Sequence, residues 1–439
     1  MNSEIHRRQF LATAATATAA AAFSTNRADA QAPPPDKLAI DGGEKSVTAT
    51  VESPLRWGDL ERERLEAMLK QDTLFYWKGP QTELLTQRFQ QFCPAKYVMT
   101  CGSGTAALHI ATCAAGIAPG DEVITSPITD IGTVIGVIYQ QGVPVFADLV
   151  PNTYNLDPAD VEKRITPKTK AIIAVHLTGN PCDLEPLRAI ADKHKLVLIE
   201  DCAQAWGAKY RGKPIGSIGH IACWSLQATK HITCGDGGVV ASNDETYGPL
   251  LQRFGDKGFD RVKGAFLGFS TNYRMSEPQA AVVAGQLERL EGIASKRAHA
   301  GNLLSEKIAD IKGIVPHGVH PDDRAVYWFY FFRMQPEAFS CDRATFVKAL
   351  AAEGVQCSAG YITVPLHKNE VFVNHAFFAG HWPVKEFGLT QMDYSKHETP
   401  EAEAILKTGI RIVITEHMND DYITQAAAAV KKVATHYAV

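Results

Sequence analysis

Apolar residues in this chain fall into two kinds of pattern. Short continuous runs occupy 97–100, 122–125, 144–147, 171–175, 196–199, 221–226 and 239–241. Runs of this length, apolar throughout rather than alternating, read as strands buried on both faces of a parallel sheet. Between them lie stretches with helical spacing. Residues 60–70 place Leu60, Leu65 and Leu69 on one face, and 82–92, 106–115, the stretch after Pro127 through 140, and 182–194 read the same way. Strands alternating with helices predict an α/β fold, a mostly parallel central sheet covered by helices. After residue 277 the apolar runs thin out. A helix over 277–296, a second through 311, an aromatic strand-like run at 326–334, a helix at 343–353 and a strand at 410–416 suggest a smaller C-terminal α/β domain. The expected organisation is a large domain over 60–300 and a small one over 301–439, after an N-terminal segment and linker at 31–59.

Chemistry collects where these runs end. The 196–199 run stops at Glu200 and Asp201, and the 221–226 run carries Ser225 and leads to Lys230. A Gly-rich turn, 235–238, precedes the next strand and permits close backbone approach. Ligands in open α/β sheets bind at the carboxyl ends of strands. A lysine and a carboxylate there are what pyridoxal phosphate chemistry requires. The first strand meets a second Gly-rich turn, 101–105, that opens a helix. Its N–H groups and dipole favour a phosphate, with the Ser103 and Thr105 hydroxyls at hand. His176 closes the 171–175 run, a position from which it is expected to line the site or to serve the core. The aromatic loop at 75–77 suits either a substrate mouth or an anchoring patch.

The remaining composition narrows the class. The chain has 439 residues and a formal charge of −4 without basic blocks, which gives nucleic-acid binding no support. Nine cysteines, with no CxxC and no Cys/His ligand spacing, point to small buried residues rather than disulfides or a metal site. The first 30 residues stand apart. Arg7 and Arg8 precede a weakly apolar Ala/Thr-rich run and an Ala28-Asp29-Ala30 cleavage-type sequence. This resembles a twin-arginine export signal, implying a periplasmic or exported protein with no stable membrane anchor after cleavage.

The motifs GSGTAALH (102–109), PNTYNLDP (151–158), IEDCAQAWGA (199–208), SLQATK (225–230), GDGG (235–238) and NYRMSEPQAA (272–281) occur in this order. The chain resembles the DegT/StrS-type aminotransferases, fold-type I pyridoxal phosphate enzymes that mostly aminate keto-sugars and keto-cyclitols. The resemblance runs from about residue 38 to the C-terminus and is strongest over 102–290. It implies that Lys230 bonds the cofactor and acts as the proton-transfer base. Asp201 would pair with the pyridine nitrogen, and Gln204 would contact the ring's 3-oxygen. Gly104, Thr105 and Ser225 would hold the phosphate, and Asn272 would reach it from the neighbouring subunit of a homodimer. His367, in the segment 361–367, matches a region that reaches the active site and is a candidate substrate contact. The expected reaction is ping-pong transfer of an amino group from glutamate or glutamine to a keto-sugar or keto-cyclitol.

Two positions depart from the family pattern. Asp130 stands where an aromatic residue usually stacks on the pyridine ring, and Trp206 where a histidine is common. Two alternatives follow. One is a pyridoxal phosphate enzyme of another reaction type, such as a sugar dehydratase, a branch that lacks the lysine present here as Lys230. The other is an exported, cofactor-binding regulatory protein without turnover.

Overall fold

The computed structural model describes residues 37–52 and 55–439. The export-type leader lies outside them. Helices α1 (Asp59–Met68) and α2 (Pro80–Phe92) lead into strand β1 (Tyr97–Cys101). Helix α3 (Gly104–Ala114), β2 (Glu122–Thr125), α4 (Gly132–Tyr139), β3 (Val143–Phe146), β4 (Thr169–Val175) and β5 (Val197–Asp201) follow. After the short pair β6 (Lys209–Tyr210) and β7 (Lys213–Pro214) come β8 (Ile221–Ser225) and β9 (Gly238–Ser242). The central seven-stranded sheet has the order β1-β9-β8-β5-β4-β2-β3. Only β9 runs against its neighbours, so the sheet is α/β and mostly parallel, as expected.

Side-chain alternation divides this sheet into two packed faces. Leu198, Ala222 and Trp224 belong to a core with Phe89 and Trp206. Ile199, Cys223 and Val240 face the other way, onto Ala107, Leu108 and Ile110 of α3. The register sets Cys101, Gly238 and Ser225 in one row at the sheet end. There a Cβ on Gly238 would come 2.3 Å from the Ser103 carbonyl oxygen, so glycine is what lets the turn before α3 seat against β9.

A small hairpin, β10 (Phe259–Asp260) and β11 (Ala265–Phe266), projects from the large unit. A four-stranded antiparallel sheet lies beyond it: β12 (Ile314–Val315), β13 (Tyr330–Met334), β14 (Cys357–Ala359) and β15 (Gly409–Ile412), ordered β12-β13-β15-β14. Its core draws Leu38 and Val47 from the stretch read as linker. Conversely, Leu366, Phe372, Trp382 and Tyr394 pack on Phe146 at the edge of the large sheet. The helix expected over 277–296 is two helices, Glu277–Leu287 and Leu290–Ile308. They part where Gln286 and Arg289 turn side chains onto Glu61 of α1. Among the described residues no helix is long and apolar enough to cross a membrane.

Candidate active site

Strand β5 delivers Asp201 to the α3 face, where it is buried. Its Oδ2 accepts a hydrogen bond from the Thr133 hydroxyl of α4 at 2.8 Å, and its Oδ1 accepts the Ala203 N–H at 3.1 Å. Burial pushes the Asp201 carboxyl above its ordinary range, against the pull of these two bonds and of Lys230. Lys230 acts on this carboxylate through space.

Lys230 lies on the tight loop after β8, closed by its own N–H onto Gln227 O at 2.9 Å. The Arg56 guanidinium, from the start of the described large unit, clamps that loop through the carbonyls of Ala228, Lys230 and His231. Lys230 Nζ sits 3.8 Å from the centroid of the Trp328 ring, whose Nε1 donates to Thr229 O at 2.8 Å. Burial lowers the amine to about 8, although Asp201 and Asp130 both favour its charged form. An amine near that value is available as a nucleophile and a base close to neutral pH.

The third part is the N-terminus of α3. Ser103 caps it in an extended conformation, its Oγ accepting the Ala106 N–H at 3.0 Å. The N–H groups of Gly104 and Thr105 occupy the first turn, where the helix offers them no acceptor. A Cβ on Gly104 would lie 2.6 Å from the Ser225 Cβ, so this glycine brings the helix end against β8. The Ser225 hydroxyl stands beside it and accepts the Gln227 N–H at 3.3 Å.

These parts surround one cavity of about 320 Å³, walled by Gly104, Thr105, Thr133, Asp201, Ser225 and Lys230, with Asp130, Asp236 and Trp328 at its rim. A phosphorylated pyridine fits the donor set. Backbone N–H groups and hydroxyls gather at one end, a carboxylate lies on the floor, and a partly neutral amine faces it.

Several sequence-based expectations are corrected or refined here. His176 does not line the cavity. It is fully buried on the opposite face, its Nδ1 accepting the Cys182 N–H at 3.0 Å and its Nε2 facing Glu200 at 3.1 Å. Glu200, next to Asp201 but on the other side of β5, also accepts N–H groups of Gly216, Ile218 and Gly219. His176, Glu200 and Cys202 lie close enough to hold a metal ion. The ring's acceptor nitrogen is already used and the carboxylate is saturated, so the cluster is a closed hydrogen-bond network. His367 is also buried away from the cavity, packed on Phe146 and His397 with neither ring nitrogen hydrogen-bonded among the described residues. Burial lowers it to about 3, which keeps it neutral.

Gln204 stands behind the cavity wall. Its Oε1 accepts the Thr178 N–H at 2.8 Å, and its Nε2 donates to the Tyr361 hydroxyl at 3.3 Å. The first of these bonds holds Thr178 at a φ of 63°, an unfavourable value for a β-branched residue. Asn272 lies outside its own subunit's cavity, its Oδ1 accepting Arg274 Nε at 2.7 Å. Trp206 fills space in the core, packed edge-on against Phe89 and tilted against Phe92 and Trp224, and its Nε1 donates to Ser225 O at 2.7 Å. Tyr76 of the aromatic loop is an anchor, donating to Asp256 at 2.6 Å. Thr133, Trp328 and Arg56 carry no motif; the first two sit in apolar stretches and Arg56 in the segment read as linker.

A buried lysine facing a strand-end carboxylate, with a helix N-terminus at the far side of one parallel-sheet cavity, defines a pyridoxal phosphate enzyme. The profile of the DegT/DnrJ/EryC1/StrS aminotransferase family matches residues 57–431. The chain belongs to that family and is a pyridoxal phosphate-dependent aminotransferase. GDP-perosamine synthase of Caulobacter vibrioides is 40% identical over 273 residues, 61% of this chain and 72% of that protein. A putative L-glutamine:3-amino-2,3-dideoxy-scyllo-inosose aminotransferase of Streptomyces kanamyceticus is 38% identical over 300 residues, 66% of this chain and 70% of that protein. Among solved structures, an aminotransferase from Psychrobacter cryohalolentis superposes with a TM-score of 0.78 at 29% identity. It covers 88% of this chain and all of its own.

Proposed function

We propose that the protein moves an amino group from glutamate or glutamine to the ketone of a sugar or cyclitol. The reading is supported by the names of its relatives and rests on one observation, buried Lys230 and Asp201 lining one cavity with the Gly104–Thr105 helix end and Ser225. When bound, pyridoxal phosphate supplies the electron sink and carries the amino group between the two substrates.

The chain's own residues do the rest. Gly104 and Thr105 N–H groups and the Ser225 hydroxyl would hold the phosphate. Asp201 would keep the ring nitrogen protonated, and Thr133 orients Asp201. The Lys230 amine takes the proton from the donor's Cα and later returns one at the carbon that receives the new amine. Trp328 covers that amine and limits its contact with water. Gln204 ties Thr178 to Tyr361 behind the cavity wall.

Homodimerisation belongs to the same proposal. The β10–β11 region exposes Val262, Phe266, Leu267 and Phe269, an apolar group next to Asn272 that suits burial against a second copy. Asn272 would then reach the phosphate across the interface. Export is proposed from the Arg7-Arg8 leader, whose residues lie outside those described.

The test is an absorbance spectrum of purified protein before and after glutamate, then glutamine. A cofactor band that shifts with one donor supports amino transfer. A band that neither donor moves, or Lys230→Ala protein with full turnover, overturns it.

A further inference from the structure

Arg411 holds a guanidinium without a partner. Among the described residues every other arginine is paired with a carboxylate or a backbone carbonyl. Arg411 makes no ion pair or hydrogen bond with them, and its Nε is buried without an acceptor. Burial works against its charge, and Tyr361 acts in its favour. A buried charged donor left unpaired costs free energy that an anion would restore.

The register fixes the side on which Arg411 stands. It pairs with Phe331 of β13 and Ser358 of β14. Cross-strand partners share a face, and Phe331 packs in the core of the large sheet, whereas Ile410 and Ile412 turn into the small sheet's own core. Arg411 therefore faces the cofactor unit of its own chain. Its Cζ lies 4.7 Å from the Phe329 ring centroid, and that ring lies 5.1 Å from Tyr361. Tyr361 meets Trp328 edge-on at 5.8 Å, and Trp328 carries the Lys230 amine on its face. This run of contacts leads from the guanidinium to the amine. Neither Arg411 nor Tyr361 forms part of the cavity wall. With no hydrogen bond to break, the long Arg411 side chain can turn toward the rim.

Tyr361 offers a second donor. Its hydroxyl oxygen accepts Gln204 Nε2 at 3.3 Å, and its own O–H goes to no acceptor among the described residues. An amino donor brings a carboxylate attached to the carbon whose proton Lys230 takes. Lys230 is engaged in that transfer, so the carboxylate needs another cation. A planar guanidinium fork matches it better than a point charge.

We propose that Arg411, with the Tyr361 hydroxyl, binds the α-carboxylate of the amino donor and so turns the donor's Cα toward Lys230. The proposal rests on the amino-transfer reading above and deepens it by naming the residues that recognise the donor.

The experiment follows loss of the cofactor band of the holoenzyme in single half-reactions with glutamate, glutamine and the α-amide of each. In the wild type the better of the two acids is expected to exceed its own α-amide by at least about tenfold in rate constant over apparent Kd. Arg411→Gln should raise the apparent Kd of that acid about 10–100-fold and change its α-amide by less than about twofold, with cofactor affinity and spectrum unaltered. Arg411→Lys keeps the charge without the fork and should recover part of the loss. Tyr361→Phe keeps the ring packing and should raise the apparent Kd of the acid about threefold. A wild type that does not prefer the acid, or Arg411→Gln with a normal apparent Kd or an equal loss for acid and amide, overturns the proposal alone. A loss confined to the return half-reaction with a nucleoside diphosphate-linked ketohexose assigns Arg411 to the acceptor's phosphate and also overturns it. No spectral change with glutamate or glutamine overturns the amino-transfer reading and this proposal with it.

Discussion

The Lys230 amine lies over the face of Trp328, with its nitrogen 3.8 Å from the ring centroid. Burial drives this amine toward its neutral form, while the ring's negative face favours the ammonium. Burial outweighs Asp201 and Asp130 and lowers the amine to about 8, which keeps both forms accessible near neutral pH. In the protein freed of cofactor, the rate of pyridoxal phosphate capture should rise with pH and level off above about 8. Trp328→Leu keeps the site apolar but removes the ring. Its profile should move to lower pH by up to about one unit, read by stopped-flow absorbance across pH 6 to 10.

Asp201 is expected to govern turnover more than folding. Asp201→Asn retains shape and can keep the Thr133 contact, but it removes the charge that, in the proposed reading, would hold a protonated ring nitrogen. Turnover should fall by about 10²–10³-fold while circular dichroism is unchanged. Thr133→Val, which strips one hydrogen bond from a buried carboxylate, should give a smaller loss in the same assay.

Gly104→Ala tests the phosphate cradle. The new methyl would lie 2.6 Å from the Ser225 Cβ, so the end of α3 must withdraw from β8. Overpacking of this kind costs about 1–3 kcal/mol. Cofactor affinity should weaken about tenfold or more, measured by equilibrium dialysis of pyridoxal phosphate.

Acid should destabilise the protein through buried neutral histidines. Burial lowers His317 to about 4 and His367 to about 3. The unfolded chain binds protons near pH 6.5 while the native state does not, so stability is full above that value and declines as pH falls toward 4. Each histidine is expected to contribute about 2 kcal/mol to the loss by pH 5. Urea titrations at pH 8 and pH 5 should show His367→Leu gaining relative to wild type at the lower pH.

Phe266 is 63% exposed and Phe269 97% exposed. Replacing both with aspartate should yield a monomer by light scattering if this face meets a second copy. The same protein should bind cofactor more weakly if Asn272 acts across the interface. A dimer that persists with normal affinity would place the interface elsewhere.

Much of the architecture was legible because its signals are local. The apolar runs became β1 to β5, β8 and β9, and the acid and lysine at their ends met in one cavity. The anion turn at 102–105 needed only its glycines and the following helix to be read. What escaped the sequence depends on facing. Glu200 and Asp201 are adjacent letters with opposite fates, and His176 follows Glu200 to the far side because a strand alternates. His367 sits in a segment that does approach the site, yet its ring turns into the aromatic packing behind Phe146. Trp328 and Arg56 come from distant parts of the chain and touch the lysine loop only after the second sheet and the N-terminal segment have docked. No local pattern encodes those contacts.

The two acids ending β5 also bear on how this gene can vary. Asp201 looks into the cofactor cavity and Glu200 into a network of His176 and three backbone N–H groups. A single-residue insertion or deletion within β5 would exchange their faces, placing one carboxylate where no backbone donors await it and withdrawing the other from the ring. Point changes elsewhere on the strand can be absorbed gradually. Its length cannot be altered by one without losing fold and chemistry together. Among descendants of this chain, β5 should therefore accept substitutions but keep its reading frame of in and out unbroken.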